Sequence, residues 1–423
     1  MSERLYRAAV LHALDRERIE FIPDGCLVVD NGRILACGDC ATILSTYPSA
    51  QIFDWRDSLL IPGLVDAHAH LPQLGAIGCD REDLLRWLDE VIFPHEARFA
   101  DIDYTRRIAE AFFRRAIAGG TTTLAVYAPP HEDAADTCFR VAGQIGIRVL
   151  MGMTLMDSNA PAALLTDVDE AIAATDRLAS RWHGVGRIQY CITPRFAGSC
   201  SRELLRRCGD LAKQTGLPIQ THLAESPAEL RFVSELFPDC PDYTSVYERA
   251  GLITDRTIVA HCVYLSSSEL DRLGTANVAI AHCPLSNVYL QSGLMPLVEY
   301  LDRAVFRIGL GTDIGAGYAA SILDEARAAR EQSKVRRMFG LATRIATMEE
   351  AFYLATLGGA TAVGLADTIG NFAVGKYADF VRIEIPPYRV PTTAQQALEL
   401  VLYTGSDNIV ATAIEGELLW QRV

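Results

Sequence analysis

Along the chain the spacing of apolar positions changes twice. Residues 1–60 carry short β-type runs such as Cys26-Leu-Val-Val-Asp-Asn-Gly-Arg-Ile-Leu35, in which Asp30-Asn31-Gly32 supplies the positive-φ positions of a tight hairpin turn. The same texture returns near the end. Phe380-Val-Arg-Ile-Glu-Ile385 alternates before Pro386-Pro387, and Asn408 to Trp420 predicts a closing strand pair around Glu415-Gly416. Residues 1–60 and 372–423 are therefore expected to build one small β-sandwich domain together.

Between them, over residues 61–371, strand-like runs alternate with helical ones across a span that accommodates the ~250 residues of a (β/α)8 barrel. The candidate strands are Leu60–His68, Thr121–Tyr127, Arg148–Leu155, Arg187–Arg195, Pro218–Leu223, Thr257–Cys262, Asn277–Pro284 and Arg307–Asp313. Each is short, apolar and β-branched, as a strand buried on both faces must be. Tyr104–Gly120 places apolar residues at helical spacing and stops at glycine. The predicted fold class is α/β: a (β/α)8 TIM barrel serving as the catalytic domain, with a small β-sandwich made from both chain ends.

Composition narrows the function. The chain has 423 residues, 50% of them hydrophobic and 22% charged, which is ordinary for a globular protein with a large core. Lys+Arg 39 against Asp+Glu 53 leaves a net charge of −14, which argues against a nucleic-acid partner and favours a small uncharged or cationic ligand. No segment approaches a membrane span, and the first apolar stretch runs into Asp15-Arg16-Glu17-Arg18, unlike a secretory signal. The expectation is a cytoplasmic protein whose 11 cysteines are reduced thiols. Cys37-Gly-Asp-Cys40 is a lone CxxC beside a hairpin and reads as a loop rather than a redox or zinc site.

Barrel chemistry collects where strands end, because the βα loops converge there. His68 and His70 close the first candidate strand, His222 the fifth, His261 the sixth and Asp313 the eighth. Residues two apart share a strand face, so His68 and His70 can both point inward. Imidazoles and a carboxylate with one position left open form the ligand pattern of a catalytic zinc site, although Fe²⁺ accepts the same donors. His282, before Cys283-Pro284, either lines this site or supports it. His12, His95, His131 and His183 read as surface or supporting groups.

Pro62-Gly-Leu-Val-Asp-Ala-His68-Ala-His70, His222-Leu-Ala-Glu225, His261, His282-Cys-Pro-Leu-Ser-Asn287 and Gly309-Leu-Gly-Thr-Asp313 together resemble the amidohydrolase superfamily in its mononuclear deaminase branch. The resemblance covers nearly the whole chain. Gln73, Trp87 to Pro94, Thr193 to Ser201, Tyr243 to Tyr247 and Gly315 to Tyr318 sharpen it toward the members that deaminate guanine.

What the resemblance implies is specific. His68, His70, His222 and Asp313 would hold one Zn²⁺ per chain, with His261 touching the metal's water and Glu225 moving protons to the ring nitrogen and the departing ammonia. Two-metal relatives use a carboxylated lysine on strand four, whereas the lysines here are Lys213, Lys334 and Lys376, none of them on that strand. Arg195, Phe196, Gln73 and Trp87 would bind substrate, Arg195 offering its fork to the O6/N7 edge of guanine.

The implied reaction is hydrolytic deamination of guanine to xanthine and ammonia by a homodimeric enzyme. Leu71-Pro72, Gly75 to Asp80 and Tyr127 to Pro130 depart from the family pattern, which keeps a pterin, 8-oxoguanine or another modified purine as the alternative substrate. A catalytically silent assembly protein is the alternative from another class.

Overall fold

The computed structural model describes residues 3–303 and 307–422. The chain opens with β1 (Arg4–Ala13), β2 (Ile19–Asp30), β3 (Arg33–Asp39) and β4 (Gln51–Pro62). Asn31 at φ 47° and Gly32 at φ 76° make the β2–β3 turn. Nine further strands follow: β5 (Leu64–His70), β6 (Thr121–Ala128), β7 (Arg148–Leu155), β8 (Ile188–Tyr190), β9 (Thr193–Pro194), β10 (Ile219–Leu223), β11 (Thr257–His261), β12 (Ala279–His282) and β13 (Arg307–Leu310). The chain ends with β14 (Phe380–Glu384), β15 (Ile409–Ile414) and β16 (Glu417–Gln421), the last two joined at Glu415-Gly416.

Both chain ends meet in one seven-stranded sheet, ordered β16-β15-β14-β4-β1-β2-β3. Their turns are tied together at Ala378, whose N–H donates to Gly32 O at 2.9 Å and whose carbonyl accepts from Gly416 N at 2.8 Å. Leu59, Ile61, Val381 and Ile383 pack into the large core shared with the barrel. Tyr6, Leu27, Leu60 and Phe380 fill a separate core. The alternation along β4 and β14 thus decides which side chains hold the two parts together.

Parallel pairing runs through β5-β6-β7-β8 and through β10-β11-β12-β13. The two arcs join on one side at the parallel bridge Ile192–Ile219. On the other side Asp313 N donates to His68 O at 2.9 Å. The ring is the expected barrel, with β8 and β9 as one interrupted staple. Gly152 allows that interruption: a Cβ there would fall 1.8 Å from the Cys191 carbonyl oxygen.

Several sequence expectations need correction. Leu60–His68 is not one strand. Leu60 to Pro62 belong to β4 and pair with β14, and β5 begins at Leu64. The chain crosses between sheets at Gly63, where a Cβ would sit 2.2 Å from Thr122 Oγ1. The seventh and eighth strands are shorter than Asn277–Pro284 and Arg307–Asp313, because Pro284 already opens a helix and Asp313 has turned out of the strand at φ 45°. His12 is not a surface group. It lies buried in β1, 2.9 Å from Glu20 Oε2 and against the Phe372 ring.

The thiols are not all reduced either. Cys26 of β2 and Cys40, the first residue of the helix Cys40–Thr46, form a disulfide with a Cα–Cα distance of 4.8 Å. Helix and strand pack face to face there, with Ile43 and Val28 beside the pair. Cys37 stays free, its thiol pushed up to about 12 by burial. Among the described residues no helix is long and apolar enough to cross a membrane.

Candidate metal centre and substrate pocket

At the C-terminal ends of β5, β10, β11 and β13 the structure brings together His68, His70, His222, His261 and Asp313. Asp313 Oδ1 lies 3.3 Å from His68 Nε2 and 3.5 Å from His70 Nε2. His70 Nε2 and His222 Nε2 are 3.0 Å apart. Asp313 Oδ2 is 3.9 Å from His261 Nε2. The donor atoms of His68, His70 and Asp313 lie within 4.8 Å of one another, and so do those of His68, His222 and His261.

His222, His261 and Asp313 are each aimed by a second group. His222 Nδ1 sits 2.6 Å from the Arg195 carbonyl, and His261 Nδ1 lies 2.9 Å from Asn287 Oδ1. The Nδ1 of His222 therefore carries the proton and its Nε2 faces inward, while for His261 burial is outweighed by Glu225 and Asp313, which raise it above the usual imidazole range. Ser286 Oγ donates to Asp313 Oδ2 at 2.6 Å. Asp66, buried and pushed up to about 7, accepts from His68 N and from Thr312 N and Oγ1, which pins β5 to the loop after β13.

Electrostatics fit a cation. Burial holds His68, His70 and His222 below the usual imidazole range, so they are neutral donors. Burial alone would raise Asp313, but His68, His261 and His70 outweigh it and hold the carboxyl well below its usual range. Among the described residues, His68 Nε2 and His261 Nε2 are buried without a hydrogen-bond partner. Leaving such groups bare costs about 1–3 kcal/mol each, a cost that a metal ion or its water removes. Three neutral imidazoles and one carboxylate suit Zn²⁺ or another divalent transition metal.

Backbone strain is concentrated here. Ala224 at φ 54°, His261 at 72°, Cys262 at 53° and Asp313 at 45° all adopt the left-handed region without being glycine. Such conformations cost on the order of 1–3 kcal/mol each and persist where packing over-determines them.

Glu225, which follows β10, is buried. Its Oε2 lies 3.4 Å from His261 Nε2 and its Oε1 accepts from Ser292 Oγ at 2.9 Å. Burial raises the carboxyl to about 7 despite the opposing influence of His261. Ser226 and Pro227 do open the helix Pro227–Leu236, in a capping box with Glu229. Glu229 Oε2 accepts from Glu225 N at 2.7 Å, and its Oε1 accepts from Tyr243 OH at 2.8 Å.

A cavity opens onto this cluster, lined by Gln73, Leu84, Trp87, Leu88, Arg195, Phe196, His222, Glu225, Glu229, His261, Leu290 and Asp313. All four expected substrate groups, Gln73, Trp87, Arg195 and Phe196, are among them. Trp87 spends its indole N–H on Cys79 O at 2.8 Å and so offers an apolar face. His282 is buried behind this lining, neutral because burial depresses it to about 3. Leu74 and Ile77, in the divergent segment, pack against the barrel core rather than lining the cavity.

Sequence reasoning missed Glu96, Glu229, Ser286, Asn287 and Ser292 as groups acting on the site. Ser286 and Asn287 stand inside the quoted His282–Asn287 motif, on the first turn of the helix Pro284–Tyr289, and could have been singled out there. Tyr243 and Tyr247 were noted as a motif, and their hydroxyls explain it. Tyr247 OH donates to His222 O at 2.8 Å, and Tyr243 OH holds Glu229.

The chain belongs to the amidohydrolase family, which matches residues 59–419. Within it the similarity is to guanine deaminases. The chain is 37% identical over 416 residues to guanine deaminase of Escherichia coli (strain K12), covering 96% of this chain and 93% of that one. A crystal structure of guanine deaminase from C. acetobutylicum with bound guanine in the active site superposes with a TM-score of 0.93 at 30% identity, covering 99% of this chain and 100% of the other. An adenosine deaminase from Xanthomonas campestris with bound zinc superposes at 0.85 with 26% identity, covering 99% and 92%.

Proposed function

We propose that the chain deaminates guanine hydrolytically to xanthine and ammonia at a single Zn²⁺ held by His68, His70, His222 and Asp313. The carrying observation is the coincidence of unpartnered, inward-facing imidazole nitrogens with Glu225, Arg195, Gln73 and Phe196 on one cavity. The zinc-loaded adenosine deaminase and the guanine-loaded relative support metal and substrate respectively.

When bound, the metal supplies Lewis-acid activation of the water nucleophile. The chain's own residues do the rest. Arg195 and Gln73 orient the base in its plane, while Phe196 and Trp87 cover its faces and exclude water. Glu225 Oε2 accepts the water's first proton as oxygen adds to the amino-bearing carbon and passes it to the ring nitrogen, then carries the second proton from the added hydroxyl to the amino group, which leaves as ammonia. His261 Nε2, 3.4 Å from Glu225 Oε2, would help hold the same water. The C–N bond breaks, and guanine plus water becomes xanthine plus ammonia.

Residues 61–371 form the catalytic unit in this reading, with 1–60 and 372–423 as a small sandwich-like domain. A cytoplasmic homodimer is expected, and light scattering reads its mass. The decisive experiment offers guanine, 8-oxoguanine, a pterin, adenine, cytosine and S-adenosylhomocysteine to metal-analysed protein and measures ammonia. Release from guanine is expected. Turnover of a pterin or modified purine with guanine inert would keep the reaction class and overturn the substrate.

A further inference from the structure

Glu96 is a buried carboxylate with two partners, and both of them line the cavity. It sits in the helix Phe93–Ala97, beside Phe93, whose ring lies under the Arg195 guanidinium at 5.4 Å. Glu96 Oε2 accepts from Arg195 Nη1 at 2.5 Å, and Glu96 Oε1 accepts from Gln73 Nε2 at 3.3 Å. The contacts bridge 99 and 23 residues of sequence. Gln73 Oε1, buried beside Gly315, has no hydrogen-bond partner among the described residues.

We propose that Glu96 is a specificity-determining positioning residue: by holding Gln73 Nε2 and Arg195 Nη1 together, it fixes the amide so that Gln73 offers an acceptor, and Arg195 donors, to the bound ring. An amide has one acceptor end and one donor end and can sit either way round. A carboxylate accepts only, so Glu96 compels Gln73 to turn its NH₂ toward it, and Oε1 becomes the acceptor left to meet a ligand. Because Arg195 brings donors alone, the pair selects rings that present an acceptor and an N–H side by side, as a cyclic lactam does. The inference rests on the reading that this pocket takes guanine, which is such a ring.

The test exchanges the two ends of the contact. In E96Q the new amide oxygen stays with Arg195, the stronger donor, which turns the NH₂ of residue 96 toward Gln73. Gln73 must then reverse, placing its NH₂ against the ring N–H. KM for guanine should rise by about tenfold or more, with a smaller change in kcat, since a lost polar match in a desolvated site is a binding loss. In Q73E/E96Q the carboxylate is at position 73. It accepts from residue 96 and presents an acceptor to the ring, so KM should return to within about threefold of wild type.

A merely structural Glu96 would give no such recovery. Unchanged KM in E96Q, or a folded Q73E/E96Q whose KM stays above tenfold, overturns the proposal. Should E96Q not fold, the swapped variant alone decides by the same KM limits. Wild-type protein assayed alongside separates the two readings. No ammonia from guanine sinks the substrate assignment, whereas normal wild-type turnover with an indifferent E96Q sinks only the role of Glu96.

Discussion

Tyr247→Phe removes one oxygen atom and should unsettle both the fold and the metal centre. The ring is fully buried, so the phenylalanine fills nearly the same volume. The hydroxyl accepts from Ala197 N at 2.9 Å, donates to His222 O at 2.8 Å and lies 3.0 Å from Thr221 Oγ1. Thr221 keeps a second partner in Arg195 O, whereas the Ala197 N–H would be left buried and bare. An unsatisfied buried donor costs about 1–3 kcal/mol and the lost bond to His222 about 1, so the variant should lose about 2–4 kcal/mol. His222 also leans on the Arg195 carbonyl through Nδ1, and metal affinity should fall by roughly 10- to 100-fold. Urea unfolding of the metal-free protein reads the first effect and competition with a chromophoric chelator the second. A variant within about 0.5 kcal/mol of wild type, with unaltered metal affinity, would show that the hydroxyl is incidental.

Glu225→Gln should keep metal and guanine affinity while turnover falls by ~10²–10⁴, checked by metal analysis beside steady-state kinetics; loss of metal would make Glu225 a ligand instead. Arg195→Lys replaces a planar fork by one compact ammonium and should cost about 1.5–3 kcal/mol, roughly ten- to two-hundredfold in kcat/KM. That loss should shrink for a ring lacking the O6 carbonyl, and equal losses would assign Arg195 to loop support. Chelation should end ammonia release, and readdition of about one equivalent of Zn²⁺ per chain should restore it. A requirement for two equivalents, read by titration against activity, would contradict the single-metal site.

The clustering of His68, His70, His222, His261 and Asp313 was legible because each stands where a strand runs out, and strand ends can be placed from apolar runs flanked by turn residues. Glu96 was not legible, because its meaning lies in partners far away in sequence, and a helix following Pro94 gives a glutamate an adequate local explanation. Glu229 was hidden in the same way by its capping box. The boundary at Gly63 was blurred by continuous apolar character from Leu59 to Val65, which two different sheets both require. His12 misled because a polar residue in an apolar run suggests an exit to solvent, whereas Glu20, across the β1–β2 register, supplies a partner within the sheet. Spacing drew the eye to Cys37 and Cys40, but the packing of helix against strand brings Cys40 to Cys26.

The parts of the site differ in what holds them. His68, His70, His222 and His261 stand on β5, β10 and β11, whose backbones are fixed by the parallel ladder, and the rings of His222 and His261 are oriented by the Arg195 carbonyl and by Asn287. Trp87, Phe93 and Glu96 come instead from the helical insertion between β5 and β6, while Gln73 rides the short 3-10 turn Leu71–Ala76 that leads into it. In the proposed reading chemistry is carried by the barrel and ring recognition largely by one insertion, joined to the barrel side through the Glu96–Arg195 ion pair. The divergence at Leu71-Pro72 and Gly75 to Asp80 falls within that insertion. Changes there can alter which ring is accepted without disturbing the metal cluster, whereas changes on the strands would remove both. The carboxylate at position 96 touches both Gln73 and Arg195, which is why exchanging its chemistry with that of Gln73 is a sharper probe of substrate choice than truncating any one contact.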